Sequence, residues 1–306
     1  VNAGANPWRA SSPCTPRCVT HRLPPVRTME SVRRTVALAK VLTSTLLDDT
    51  DHHRDIDHRG VTDVRHRAAA ALDALGVALT ATGPLTVNPQ HEPPNPQHAP
   101  RRPQHGAREA QHGVGTLVVA NHVSWLDIPA LLTLEPVRFL AKREVAGWPF
   151  VGGQARRMGT LLLDRWSLRG LPASVGAVAE RLRAGETVVV FPEATTWCSA
   201  PGGPFRRAVF QAALDAGAPV RPVTLTYRQR GEPSTIAAFV GDDGLAASLV
   251  RVVRARELEV DVDVHDALGP TGDRRTLAHR AQHAVQGDAA SRPAATTHAD
   301  HGAAHV

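Results

Sequence analysis

Apolar positions recur at helical spacing from Glu30 to Leu47. Val32, Val36, Ala39 and Thr43 fall on one side, and Leu38, Val41, Leu42 and Leu46 widen the apolar surface. Arg33, Arg34 and Lys40 interrupt it, so the segment is too short and too charged to span a bilayer. A second helix is expected over Asp63–Leu79, opened by Arg65, His66 and Arg67, after a polar loop at Asp48–Gly60. Two apolar helices with basic flanks suit a membrane surface; two helices packed on a core fit the same pattern equally well. Gly83–Val87 has the look of a short strand.

Beyond Val114, short apolar runs alternate with helical patterns. Strands are expected at Gly115–Ala120, Val137–Ala141, Thr160–Leu163, Thr187–Phe191, Val220–Thr226, Ile236–Val240 and Glu257–Val264. Helices are expected at Ser174–Arg183, Phe205–Ala216, Leu245–Arg256 and Asp273–Ala284, with Gly185 and Gly217 as stops after the first two. Thr187–Phe191 is apolar throughout, the pattern of a strand buried on both faces. The fold class that follows is α/β: a central mixed sheet flanked by helices, with an N-terminal helical pair suited to membrane contact.

The organisation reads as five parts. Residues 1–29 form a disordered leader or an upstream extension from a mis-assigned start, with several prolines and no secretory pattern. Residues 30–87 are an N-terminal helical region. Residues 88–113 are a low-complexity insert in which Pro89-Gln90-His91, Pro96-Gln97-His98, Pro103-Gln104-His105 and Ala110-Gln111-His112 recur every seven residues. It has no apolar a/d heptad positions and is interrupted by prolines, so it reads as a surface loop, with opportunistic chelation by its histidines as the weaker alternative. Residues 114–284 are the main domain, and residues 285–306 a disordered tail.

Composition narrows the function. Hydrophobic residues are 42% and charged residues 21%, enough for a packed core. The net charge is +6, and Lys40 and Lys142 are the only lysines, so arginine carries most of it. Basic chains meet anions. Aromatics at 4% are too sparse for a base-stacking surface, which leaves anionic lipid or a phosphorylated small molecule rather than nucleic acid. Three cysteines, Cys14, Cys18 and Cys198, match no zinc pattern and fit a reducing compartment. No second histidine is placed to activate Cys198, which reads as incidental.

Candidate chemistry begins where the strand ending at Ala120 runs into Asn121-His122-Val123-Ser124-Trp125-Leu126-Asp127. Ligands of α/β sheets bind beyond the carboxyl ends of strands. Ser124 and Asp127 are spaced like a capping box opening a helix through Leu134. His122 then lies in the turn and folds back on Asp127. A neutral imidazole with one nitrogen fixed on a carboxylate leaves the other free to take a hydroxyl proton.

This segment resembles the N-H-x4-D motif of the glycerolipid acyltransferases, of the 1-acylglycerol-3-phosphate acyltransferase type. Gly159-Thr160-Leu161-Leu162-Leu163-Asp164-Arg165, Phe191-Pro192-Glu193-Ala194-Thr195-Thr196 and Ala218-Pro219-Val220-Arg221-Pro222-Val223 resemble three further blocks of that family, in its order. The resemblance covers roughly Gly115 to Ala284. It implies His122 as general base and Asp127 as its orienter. It also implies acceptor binding by Arg165, Glu193, Ala194 and Thr195. Lys142 matches a recurrent basic position and is a further candidate for substrate binding; Arg206 ranks with it below Arg165. The family has Gly where this chain has Ala194, a residue that disfavours a left-handed backbone.

The expected activity is O-acyl transfer in phospholipid biosynthesis, from acyl-CoA or acyl carrier protein to a lysophospholipid, most simply 1-acylglycerol-3-phosphate, giving phosphatidate. No cofactor and no metal are implied. The partners implied are lysophospholipid, acyl donor and membrane surface, without nucleic acid, and the expected location is peripheral on the cytoplasmic face of the cell membrane. Alternatives are another acceptor such as lyso-ornithine lipid, a catalytically silent lipid-binding protein, or a His-rich metal-binding protein.

Overall fold

The computed structural model describes residues 10–47, 58–87, 113–147, 152–153, 155, 158–163 and 170–287. Residues 48–57 of the expected polar loop, the histidine repeat, Arg165 and most of the expected tail lie outside the described residues, and residues 58–60 of that loop are helical instead.

Helices α1 (Thr28–Leu47) and α2 (His58–Leu75) precede strand β1 (Val77–Ala81). Then come β2 (Leu117–Ala120), α3 (Asp127–Leu134), β3 (Arg138–Lys142), β4 (Leu161–Leu163), α4 (Leu171–Arg183) and β5 (Val188–Val190). The chain continues through α5 (Phe210–Ala216), β6 (Val220–Gln229), β7 (Glu232–Pro233), α6 (Leu245–Arg254), β8 (Leu258–Val264) and α7 (Arg274–Gln286). The strands form one sheet in the order β1-β8-β6-β2-β5-β3-β4, with β7 also paired to β6. The centre is parallel: β2 pairs with β5 through Leu117↔Val188 and with β6 through Leu117↔Val220. β8 runs antiparallel to β6, which makes the sheet mixed.

Alternation along β2 divides the core. Val118 and Ala120 face a cluster with Leu126, Ala130 and Leu131 near α3 and Val252 and Val253 of α6. Leu117 and Val119 face Val178 and Leu182 of α4, Phe210 of α5, and Leu277 and Ala281 of α7. All four β2 residues are fully buried, as a strand covered on both faces requires.

Several boundaries depart from the sequence expectation, each for a local reason. The second helix stops at Leu75, not Leu79, because Gly76 takes a left-handed φ of 68°; Val77–Ala81 then pairs in parallel with β8. Gly83–Val87 is not a strand. Its backbone donors go to side chains: Leu85 N–H and Thr86 N–H to the Glu135 carboxylate (2.7 and 3.0 Å), and Val87 N–H to Thr116 Oγ1 (2.9 Å). Ile236–Val240 is apolar and buried but is also not a strand. Arg251 satisfies the carbonyls of Ile236 (2.9 Å) and Ala238 (2.7 Å), while Phe239 N–H donates to Val123 O (2.9 Å). Helix α5 begins at Phe210 rather than Phe205, because Phe205 N–H is committed to Gln282 Oε1 (3.0 Å) and Arg206 N–H to Pro192 O (2.9 Å).

Residues 10–27, expected within a disordered leader, are placed by specific bonds. Thr20 N–H donates to Thr235 Oγ1 (3.0 Å), Thr235 Oγ1–H to Cys18 O (3.0 Å) and Val26 N–H to Arg254 O (3.0 Å). None of these contacts has a sequence period, so pattern reading gave them no signal. Helix α1 buries Leu38 and turns Arg34 inward to the carbonyl of Ala255 (2.8 Å). Its opposite side leaves Met29 81%, Val32 54% and Val36 48% exposed.

Candidate active site

The site opens where β2 and β5 end side by side. Asn121 extends the β2–β6 pairing with its side chain. Its Oδ1 accepts from Leu225 N–H (2.7 Å) and its Nδ2 donates to Leu225 O (3.0 Å), so an amide group does the work of a peptide while the main chain turns away. That turn presents His122.

The Asp127 carboxylate is fully buried at the start of α3. Its Oδ2 accepts from His122 Nδ1 (2.7 Å), Val123 N–H (2.8 Å) and Ser124 N–H (3.0 Å). Its Oδ1 accepts from the Tyr227 hydroxyl (2.6 Å). Ser124 Oγ in turn accepts from Leu126 N–H (3.2 Å). An ionised carboxylate only accepts, so Nδ1 of His122 carries the proton and Nε2 is left as the basic nitrogen. Among the described residues Nε2 has no hydrogen-bond partner, and the His122 side chain keeps 23% exposure. The imidazole stacks on Phe191, ring centroids 4.0 Å apart at 15°, which fixes its plane from the β5 side.

Tyr227 is buried in β6, and burial first, then the Asp127 charge, pushes its phenol well above the ordinary range. It therefore stays protonated and donates. Tyr227, the chain's single tyrosine, carries no local signal in the sequence, because its partner lies a hundred positions away. Asn121 and Phe191 were within the motifs, but their structural duties have no local pattern.

The third block wraps beneath the histidine. Glu193 is buried, and its Oε2 accepts from His122 N–H (2.9 Å). Its Oε1 accepts from Gly203 N–H (3.2 Å) and Gln286 Nε2 (3.0 Å). Burial pushes its carboxyl up to about 8, against the pull of these three donors; the Asp127 charge adds to the rise. Glu193 thus braces the His122 backbone from below. A Cβ on Gly202, which has a φ of 77°, would collide with Glu193 Oε1, so that approach requires glycine. Ala194 adopts a φ of 60°, the left-handed conformation that the alanine disfavours. Thr195 is half-buried beside it, and Thr196 Oγ1 donates to Phe239 O. Trp197 N–H closes the loop back onto His122 O (2.8 Å).

His122, Asp127, Glu193, Ala194 and Thr195 are thereby brought to one place or directly beside it. Lys142 is half-buried at the end of β3, in register with Leu163 of β4. Arg206 is half-buried in the turn before α5. The Cys14 sulfur beside Cys198 and its burial push the Cys198 thiol up.

Comparison with known proteins agrees with the class that this geometry defines. A family profile described as Acyltransferase matches residues 101–226. The lyso-ornithine lipid O-acyltransferase of Pseudomonas aeruginosa is 40% identical over 172 residues, covering 56% of this chain and 66% of that protein. The 1-acyl-sn-glycerol-3-phosphate acyltransferase of Neisseria gonorrhoeae is 38% identical over 175 residues, covering 56% and 68%. The crystal structure of the 1-acyl-sn-glycerophosphate acyltransferase PlsC from Thermotoga maritima matches with a TM-score of 0.55 at 18% identity, over 86% of this chain and 94% of that one, a likeness of fold. The chain belongs to the acyltransferase family. Its match spans about two thirds of the length of these two curated relatives.

Proposed function

We propose that the protein transfers an acyl group from a thioester donor, acyl-CoA or acyl carrier protein, to the hydroxyl of a lysolipid. The preferred acceptor is 1-acylglycerol-3-phosphate, giving phosphatidate. The observation that carries this reading is the His122–Asp127 pair, with Nδ1 bonded at 2.7 Å and Nε2 open at the end of β2. Nε2 takes the acceptor's hydroxyl proton as the oxygen attacks the thioester carbonyl. The tetrahedral intermediate collapses, the C–S bond breaks, and the imidazolium returns the proton to the departing thiolate, leaving a free thiol. The fixed Asp127 charge stabilises the imidazolium between the two steps. The step requires no metal and no acyl-enzyme.

Arg165 is assigned to the acceptor's phosphate, for which a guanidinium offers a bidentate fork, and Lys142 is a further candidate for substrate binding. Ala194 favours a second reading. It occupies a left-handed position in the loop assigned to the acceptor, and the Pseudomonas aeruginosa relative is a lyso-ornithine lipid acyltransferase. Lyso-ornithine lipid is therefore the alternative acceptor.

We place the protein peripherally on the cytoplasmic face of the membrane. No described helix is long and apolar enough to cross a membrane. The support is the exposed Met29, Val32 and Val36 face of α1, flanked by Arg33 and Lys40. A donor–acceptor matrix on purified protein with lipid vesicles, following free thiol, tests the proposal. Thiol release dependent on a lysolipid is expected. Release that ignores the acceptor would mean a thioesterase, and a response to lyso-ornithine lipid alone would select the second reading. Arg165→Ala should raise KM for lysophosphatidate and leave KM for the thioester unchanged.

A further inference from the structure

All three cysteines of the chain meet at one point. Cys14 and Cys18 bracket a single tight turn over Pro16–Cys18, closed by Cys18 N–H to Thr15 O (2.9 Å), which turns both sulfurs to the same side. Cys198 arrives from the loop that follows the third block. The three sulfurs lie within 4.8 Å of one another, with Cys14 Sγ and Cys198 Sγ 3.2 Å apart. Cys14 is buried, and the other two are half-buried.

We propose that Cys14, Cys18 and Cys198 form a binding site for a thiophilic divalent ion of the Zn²⁺ class, with the fourth position left to water. Three observations carry it. A tetrahedral Zn²⁺ with Zn–S bonds of about 2.3 Å places its sulfurs about 3.8 Å apart, so sub-ångström to one-ångström adjustments convert the observed cluster into a coordination set. Backbone donors already point at two sulfurs: Cys198 N–H at Cys14 Sγ (3.4 Å) and Thr15 N–H at Cys18 Sγ (3.5 Å). Such outer bonds orient thiolate ligands and offset their charge. The ligands also come from two segments about 180 positions apart, so an ion would pin the N-terminal segment to the loop that follows the third block. Binding replaces each thiol proton with the metal and releases it to solvent. A sequence spacing of C-x3-C with a remote third cysteine does not announce such a site; only the fold assembles it.

The site adjoins the loop that is bonded to His122. Cys198 follows Trp197, whose N–H holds the carbonyl of His122 (2.8 Å). A bound ion is therefore a structural clamp on that loop, and its removal loosens the loop carrying the bond to His122.

The test is metal retention by the full chain, read independently of acyl transfer. Protein purified without chelator is analysed by elemental mass spectrometry. Reduced apo-protein is then titrated with Zn²⁺ and with Co²⁺, whose thiolate charge-transfer and tetrahedral d–d bands report sulfur ligation. Parallel titrations use Cys18→Ser, Cys14→Ser, and a chain with His91, His98, His105 and His112 all changed to Gln. About one ion per chain with sulfur-ligated Co²⁺ bands is expected. The histidine variant should retain it. Cys18→Ser, at a half-buried position where folding is least at risk, should weaken it by at least about 100-fold, more than the roughly 10–100-fold cost of losing an outer bond. Stripping the ion should lower the melting temperature of the wild-type chain but not of Cys18→Ser. Absence of sulfur-ligated Co²⁺ in reduced wild-type protein overturns the proposal. So does binding that survives both cysteine variants and disappears with the histidines, or a Cys14–Cys198 disulfide that takes up no ion once reduced. An inactive protein that still shows the Co²⁺ signature would refute the acyl-transfer reading and leave this site standing.

Discussion

Asp127→Asn separates the charge of the buried carboxylate from its hydrogen bonds. An Asn oxygen placed where Oδ2 now sits keeps the bonds from His122 Nδ1 (2.7 Å), Val123 N–H (2.8 Å) and Ser124 N–H (3.0 Å). Its amide then faces Tyr227, whose hydroxyl can rotate from donor to acceptor. The histidine therefore keeps its tautomer and its plane, and only the negative charge is lost. At an effective dielectric near 20, a carboxylate and an imidazolium about 4 Å apart attract by roughly 4 kcal/mol. That attraction acts on the imidazolium formed at the tetrahedral intermediate, so its loss should slow the acyl-transfer step by about a thousandfold. Stability should change by only about 1 kcal/mol, because the bond count is conserved. The assay is thiol release under saturating donor and acceptor, with urea unfolding of both proteins alongside. A correctly folded Asp127→Asn protein with kcat within tenfold of wild type would refute the reasoning, since the charge would then do nothing for the reacting histidine.

Tyr227→Phe removes one charge-assisted bond from Asp127 but leaves the oxygen that holds His122 alone. It should cost about 1.5–3 kcal/mol in urea unfolding with kcat reduced less than tenfold; an unchanged unfolding midpoint would speak against any weight on that bond. Ala194→Gly relieves a φ of 60°, a gain of about 1–2 kcal/mol against about 0.4–1 kcal/mol of extra chain entropy. A higher melting temperature is expected, and better use of lysophosphatidate by this variant would show that the loop has drifted from that acceptor. Glu193 has a carboxyl raised from 4.5 to about 8 in the folded protein. Its contribution to stability is complete below pH 4.5, falls as pH rises through the interval to 8, and is flat above it. Glu193→Gln should flatten that part of the stability–pH curve, measured by urea titrations across the range; an unaltered slope would mean that the carboxyl is ionised throughout.

What the sequence made legible follows from how local each cause is. The run Leu117–Ala120 announces a doubly covered strand because every residue is apolar, and Asp127 in the first turn of α3 folds its carboxylate back to His122 and Ser124 N–H; only this half of the expected capping box forms, since Ser124 Oγ accepts from Leu126 N–H instead. The glycine that the resembling family carries at the position of Ala194 points to a left-handed backbone there, and its φ is 60°. Partners far along the chain left no trace. Tyr227 sits in an alternating strand where a tyrosine is as plausible as a valine, and the three cysteines converge only through tertiary packing. Ile236–Val240 misled because burial and apolarity suit a strand, whereas Arg251 satisfies its carbonyls from a helix. The N-terminal helix is apolar on two sides, so periodicity alone did not decide which side packs; Leu38 and Arg34 go inward while Val32 and Val36 stay exposed.

The central claim is that His122 Nε2 removes the acceptor's proton, and His122→Ala addresses it most directly. Asp127 would keep its bonds from Val123, Ser124 and Tyr227, so the variant should fold. Initial rates of thiol release with acyl donor and lysolipid vesicles are compared for the two proteins at equal concentration. A loss of about 10²–10⁴-fold in kcat, with the unfolding curve preserved, is the predicted result. Retention of most of the wild-type kcat by the folded variant would contradict the account and move the base to another residue.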